Sequence, residues 1–517
     1  MHKQLDETFR RFHFIALAMF IAGGFVTPAS ADTIDTSIGT LEYEAGYPTE
    51  ATVQTLYDEL DFQRAVQAYL WALPMASYGA MADAHWALGA DNHTVIVADK
   101  LAEPRQLALT ANRDTVYMSG VLDLREGPMV MELPPGLLGT MNNIWQQPLV
   151  DLGGPFSPEQ NRGGKFLVLP PGYDGPLPAT HHHVVESDSN IVVFYLRALP
   201  QTRDDIPKLV EHIKTYRQYR LEDAANPPET RFVSLSGRDV DLLTNEGFAY
   251  FETLARYINE NPPREQDMAM LGMLETLGIV NGQPFEPDER MKKILTDAVA
   301  IGNAYARANT VFPRDPGHRV YQGTDSEWVM AFADKDTYFL KDGARRFDSR
   351  LWMHYNAVVV TPAMALTRPG AGSDYGIAGL DSKSRPLDGA KTYRLAGADG
   401  KTVTLKPLGR KSRLSDLVLT GHNQFDGPLD HHVYLKLPAP MQVGERYSRQ
   451  ATLPEVGPLG QGRLAGARVL VVGLGEKKKF DDSASRTAAA TAAKCCRDAR
   501  LTNVAFAASD ESATDAM

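Results

Sequence analysis

At 517 residues, with 43% hydrophobic, 23% charged and 9% aromatic side chains, the chain is too long for one hydrophobic core and has the make-up of a globular protein of several compact units. The formal charge of -11 argues against nucleic-acid binding, because phosphate recognition requires a basic surface. Its two cysteines, Cys495 and Cys496, are adjacent and lie in the tail, which excludes a disulfide scaffold or a cysteine-based zinc site in the body of the chain.

The N-terminus has Arg10 and Arg11, an apolar run from Phe14 to Val26, then Ala29-Ser30-Ala31. That order (basic, apolar, small) is the layout of a signal peptide over residues 1–31, so a periplasmic or secreted protein is expected, with no membrane span after cleavage. The apolar run is short for a span of about 20 residues. Leu56, Leu60, Val66 and Leu70 recur at helical spacing and predict a helix over 53–72, ended by Pro74.

From 107 to about 200 the pattern is that of strands. Val116, Met118, Gly120, Leu122 and Leu124 share one face, and Thr115, Tyr117, Ser119 and Asp123 the other. Arg125-Glu126-Gly127-Pro128 reads as a turn into Met129, Met131 and Leu133, which predicts a hairpin; residues around 165–170 and 190–199 predict two more strands. Beyond 204 the period becomes 3.6: Ile206, Leu209, Val210, Ile213 and Tyr216 mark one amphipathic helix, and others are expected at 246–259, 267–279 and 288–308. Aromatic-rich segments follow from 319 to 366, then short strands beyond 390. Such segregation of strands and helices argues for an α+β fold rather than a doubly wound sheet.

The segments 69–75, 112–134 and 163–178 resemble the family catalogued as domain of unknown function 1254; 356–365 and 381–395 resemble its usual companion, domain of unknown function 1214. The resemblance covers roughly residues 50–395. It implies a secreted bacterial protein with two β-sandwich-like (jelly-roll-like) domains and a helical insert, and it implies no reaction; the chain departs from the family's pattern at Ala396 into an atypical C-terminal tail. The divisions expected are a signal peptide (1–31), an N-terminal β-rich domain (50–200), a helical subdomain (201–310), an incomplete second β domain (311–395) and a mosaic tail (396–517). In that tail, 445–475 resembles the opening of ubiquitin-activating-like adenylyltransferases and 468–493 the N-terminal, non-catalytic domain of leucyl aminopeptidases. Each piece is too short to fold as its parent domain.

The candidate chemistry is sparse. Gly473 and Gly475 fit a dinucleotide fingerprint, but Lys478 occupies the third glycine position, and no cofactor is expected. His181 and His183 could share a metal if a third ligand came from elsewhere, but exposed polar residues fit the pattern better. No GxSxG elbow, HExxH helix or Walker A loop occurs. Asn112, Arg113 and Asp114 stand immediately before a predicted strand. They read either as a fastener at the sheet's end or, with Tyr117 and Trp145, as the lining of a cleft for a small molecule. Two functions stay open: a hydrolase-like enzyme acting on a small or lipid-like molecule, or a non-catalytic ligand-binding or envelope-associated protein. An enzyme should place a nucleophile or general base within hydrogen-bond reach of that patch, whereas a binding protein should show aromatics there, such as Trp145, Tyr117 or Trp352, without such a pair.

Overall fold

The computed structural model describes residues 32–365 apart from 102–105, 110–114, 155–156, 180–181, 201–202 and 320–328, and beyond 365 only the backbone of strands at 376–377, 393–396, 402–405, 416–422, 430–436 and 450–451. The signal-peptide expectation and the tail from 452 onward fall outside the described residues. Among the described residues no helix is long and apolar enough to cross a membrane.

The chain divides into two units, residues 1–63 and 64–517. In the first, β1 (Asp32–Thr36), β2 (Gly39–Glu44) and β3 (Tyr47–Pro48) form an antiparallel sheet. It leads into α1 (Glu50–Ala87), where the Thr49 hydroxyl caps the helix by accepting the Thr52 N–H at 3.2 Å.

In the second unit the strands in chain order are β4 (Thr94–Val97), β5 (Gln106–Leu107), β6 (Val116–Asp123), β7 (Met129–Leu133), β8 (Leu138–Asn143), β9 (Pro148–Leu152), β10 (Gly164–Leu169), β11 (His183–Glu186) and β12 (Ile191–Ala198). Then come α2 (Ile206–Ile213), β13 (Arg217–Arg220), β14 (Arg231–Ser234), β15 (Val240–Asp241), α3 (Phe248–Glu260), α4 (Met268–Thr276), α5 (Glu289–Val311) and α6 (Phe347–Asn356). The fold is mixed α and β, with six helices and several sheets among the described residues, none closed into a barrel. One sheet runs β14-β4-β6-β12-β8-β9 and another β11-β10-β7-β13. Their facing sides share one core: Met118, Leu122 and Phe194 from the first, Met129, Met131 and Phe166 from the second, all buried. Pleating puts every second residue of β6 into that core, as the alternation in its sequence anticipates.

Three sequence expectations are corrected. The helix predicted to stop before Pro74 continues to Ala87. A proline inside a helix forfeits the bond to the carbonyl four residues back and loosens its neighbours. Here side chains serve the carbonyls around it: Tyr250 Oη donates to Tyr69 O (2.8 Å), Arg350 Nη1 to Trp71 O (2.6 Å) and Gln146 Nε2 to Pro74 O (3.2 Å). The hairpin expected between β6 and β7 is absent: β6 pairs with β12 and β4, while β7 pairs with β10 and β13. Residues 124–128 instead carry the chain from one sheet to the other, so the two apolar faces meet across the core rather than side by side. The stretch expected to be a helical subdomain also supplies strands: β13 completes the four-stranded sheet, and β14 runs parallel to β4 at the edge of the six-stranded one.

Candidate functional site

The side of the six-stranded sheet turned away from the shared core lies under the second half of α1. The register aligns Ile96, Ser119, Tyr195, Thr140 and Asp151 in one row across five strands, and Tyr117 and Arg197 in the next. Polar residues in a sheet centre demand partners, because each buried unsatisfied group costs about 1–3 kcal/mol. The partners come largely from α1. Tyr78 Oη donates to Asn142 Oδ1 at 3.3 Å, and Tyr195 Oη to the Met81 sulfur at 2.6 Å.

One of these contacts has chemical content. His85, 1% exposed, has its Nδ1 2.7 Å from Met81 O and its Nε2 2.8 Å from Ser119 Oγ. A carbonyl only accepts, so Nδ1 carries the hydrogen, Nε2 presents a lone pair, and the Ser119 hydroxyl donates to it. Burial holds the imidazole below its usual value, against a smaller upward pull from the Met81 carbonyl, so it is neutral near pH 7. A half-buried serine hydroxyl donating to a neutral, oriented imidazole has the geometry of a nucleophile beside its base. The orienting group is a helix carbonyl, where serine-hydrolase triads have a carboxylate. Two positions along β6, Tyr117 is half-buried on the same face, and its carbonyl accepts the Ala98 N–H at 2.8 Å. Further along the row, burial, then the nearby Glu159 carboxylate, push the Asp151 carboxyl up, while the Thr361 hydroxyl, which donates to Asp151 Oδ1, pulls it down.

Trp145 is not beside Tyr117. Tyr117 aligns with Arg197 and Leu138 at the start of β8, whereas Trp145 lies in the turn past the strand's other end at Asn143, five strand residues or about 17 Å on from Leu138. There Trp145 is 3% exposed, tilted against Trp71 with centroids 4.6 Å apart and covered by the Arg264 guanidinium 4.6 Å from its ring. Arg264 pairs with Asp267 (2.5 Å) and Asp188 (3.1 Å). Next to it Gln146 sits at φ 56°, held by Asn143 Oδ1, which accepts the N–H groups of Trp145 (3.0 Å) and Gln147 (2.9 Å). His354 Nδ1 donates to Gln146 Oε1 at 2.5 Å, and burial, then the Arg350 cation, push this imidazole well below its usual value. This second cluster ties the β8–β9 turn to α1 and α6.

Asn112, Arg113, Asp114 and His181 fall outside the described residues. His183 opens β11, half-buried, its ring 5.1 Å from Phe166. Among the described residues no three His, Cys, Asp or Glu side chains are grouped to hold a metal ion. Sequence reasoning missed His85 altogether: continuing the helical period through Pro74 would have put it on α1, one turn beyond Met81.

Residues 92–222 match the model of the family described as Protein of unknown function (DUF1254), and residues 461–517 that of the N-terminal domain of the cytosol aminopeptidase family. Both matches agree with the resemblances read from the sequence. The first spans β6, Ser119 and every strand of the two sheets except β14; the second lies outside the described residues. A solved structure, that of the VPA0106 protein from Vibrio parahaemolyticus, is similar at 16% identity with a TM-score of 0.43, covering 65% of this chain and 76% of that one. No curated protein matches.

Proposed function

We propose that the chain is an exported, hydrolase-like enzyme acting on a small or lipid-like molecule, with Ser119 as nucleophile and His85 as its base. The observation that supports this reading is the 2.8 Å contact between His85 Nε2 and Ser119 Oγ on the face that carries Tyr117. On an ester, the Ser119 oxygen forms a bond to the acyl carbon as its proton passes to His85 Nε2. The alcohol leaves with that proton, and water then releases the acid and restores the hydroxyl. Asn112, Arg113 and Asp114 are carried forward with Tyr117 as the proposed lining of the small-molecule site.

The test is turnover of p-nitrophenyl esters of increasing chain length. Ser119→Ala and His85→Gln are expected to lower kcat/KM by about a thousandfold or more, as when a triad member is removed. Turnover that survives Ser119→Ala, or none in the wild type, overturns the assignment.

A second reading, non-catalytic ligand binding, is favoured by one observation. At Ser119, β6 is flanked by Tyr195 of β12 on one edge and Ile96 of β4 on the other, so its main chain is committed to the ladders. In this reading His85 and Ser119 fasten α1 to the sheet, and Tyr117 and Tyr195 line the ligand. The sequence-derived divisions are carried forward as part of the proposal: a signal peptide over 1–31, periplasmic or secreted location, and two β-sandwich-like domains, the second within 311–395.

A further inference from the structure

One buried charge has no counter-charge. Arg350, near the start of α6, is 5% exposed, and its Nη1 donates to the Trp71 carbonyl of α1 at 2.6 Å. Among the described residues that is its one hydrogen bond, and no carboxylate pairs with it. The other buried arginines are matched: Arg264 pairs with Asp267 (2.5 Å) and Asp188 (3.1 Å), and Arg346 with Asp315 (2.7 Å) and Asp334 (2.9 Å). A guanidinium withdrawn from water without a partner is costly, so buried charges are ordinarily paired.

The surroundings do not neutralise it. Burial, then the Arg345 cation, push the guanidinium down to about 9; Asp267 pulls the other way, and Arg264 adds to the push. It therefore stays charged near pH 7. Asp267 and Asp188 both serve Arg264, so these two carboxylates face three guanidiniums, those of Arg264, Arg345 and Arg350. Nε and Nη2 of Arg350 have no partner among the described residues, yet neither is sealed from solvent. These two nitrogens form the edge that can take both oxygens of a carboxylate in side-by-side hydrogen bonds. With so little of the residue exposed, the opening suits a compact anion.

We propose that the Nε–Nη2 edge of Arg350 binds the carboxylate of a small organic acid, which supplies the missing counter-charge. The inference is independent of the Ser119 reading: Trp71 precedes His85 by fourteen residues of α1, about 21 Å at 1.5 Å per residue. It is tested by thermal melting and tryptophan-fluorescence titration of the full chain with sodium acetate. Ionic strength is held constant with sodium chloride, and acetamide serves as the neutral analogue of the same shape. Acetate is expected to raise the melting point saturably, and acetamide to leave it unchanged. Arg350→Lys keeps the charge and a donor for the Trp71 carbonyl but loses the two-pronged edge, so its acetate Kd is expected to rise tenfold or more. The comparison of acetate with acetamide needs only the wild type and decides the matter even where the variant does not fold. An equal response to acetamide, undiminished acetate binding by a folded Arg350→Lys, saturation by inorganic phosphate but not by acetate, or no saturable response to acetate overturns the proposal.

Discussion

His354 gives a quantitative prediction about acid. Its imidazole is 2% exposed, donates to Gln146 Oε1 at 2.5 Å and lies near the Arg350 cation, so the folded protein keeps it neutral far below the value near 6.5 that it has when unfolded. The unfolded chain therefore takes up a proton that the folded chain refuses. Its contribution is fully present above pH 6.5 and is lost as pH falls below it, by about 1.4 kcal/mol for each pH unit. At pH 5.5 the loss from this residue is about 1.4 kcal/mol. His85 and His318, both lowered by burial, act in the same direction. His354→Gln keeps a donor for Gln146 and removes the titration. Urea unfolding followed by tryptophan fluorescence between pH 7.5 and 5.0 should show a shallower acid slope in the variant, by about 1.4 kcal/mol per unit. The baseline cost of the substitution does not enter, since only the slope is compared. Identical slopes would show that His354 is not held neutral by its surroundings, and the packing of α6 on the β8–β9 turn would have to be redrawn.

Other outcomes follow from single contacts. In Gly139→Ala the new Cβ would fall 1.8 Å from Tyr195 O at the centre of the sheet, costing about 3 kcal/mol or more, whereas Gly136→Ala, with open space around it at φ 81°, should cost about 1 kcal/mol; urea midpoints separate the two. Arg346→Ala removes a two-pronged grip on Asp315 (2.7 Å each) and a contact with Asp334 (2.9 Å), expected to cost about 3 kcal/mol at neutral pH. The Asp315 carboxyl sits well below its usual range, held down chiefly by Arg346, although burial is the largest single influence and pushes the other way. Its contribution is present above the ordinary carboxylate value and lost below it, so the difference between wild type and Arg346→Ala should shrink in acid, as stability against pH will show. Gly79→Ala would press a methyl to 2.4 Å from the ring of Tyr257, whose hydroxyl is tied to Gly79 O (3.0 Å) and Asp83 Oδ1 (2.9 Å); a melting point no lower than wild type would contradict that packing.

Residue alternation made β6 legible in sequence, down to which side of Ser119 faces away from the core, because pleating converts order in sequence directly into sides of a sheet. The helices at 206–213, 248–260, 268–276 and 289–311 were legible for the same reason, with the 3.6 period in place of 2. Pairing was not legible: Met129, Met131 and Leu133 alternate equally well in a hairpin with β6 or on a facing sheet, and only three-dimensional closure of the core selects the second. Nor was the path of α1 through Pro74, around which Tyr250, Arg350 and Gln146, 72 to 279 positions from the carbonyls they serve, donate to the helix backbone. The His85–Ser119 pair spans 34 positions and depends on that same path, so both members were invisible as a pair. Trp145 drew attention as an aromatic, and the structure gives it two covering partners instead of an open face.

The most direct measurement of the central claim is intact-mass and peptide-mapping spectrometry after treatment with a fluorophosphonate probe, which leaves a covalent phosphonyl group on an activated serine as fluoride departs. The account predicts one adduct per chain, on the peptide containing Ser119, absent in Ser119→Ala and strongly reduced in His85→Gln. An unlabelled, folded wild type, or an adduct on another serine, would contradict it.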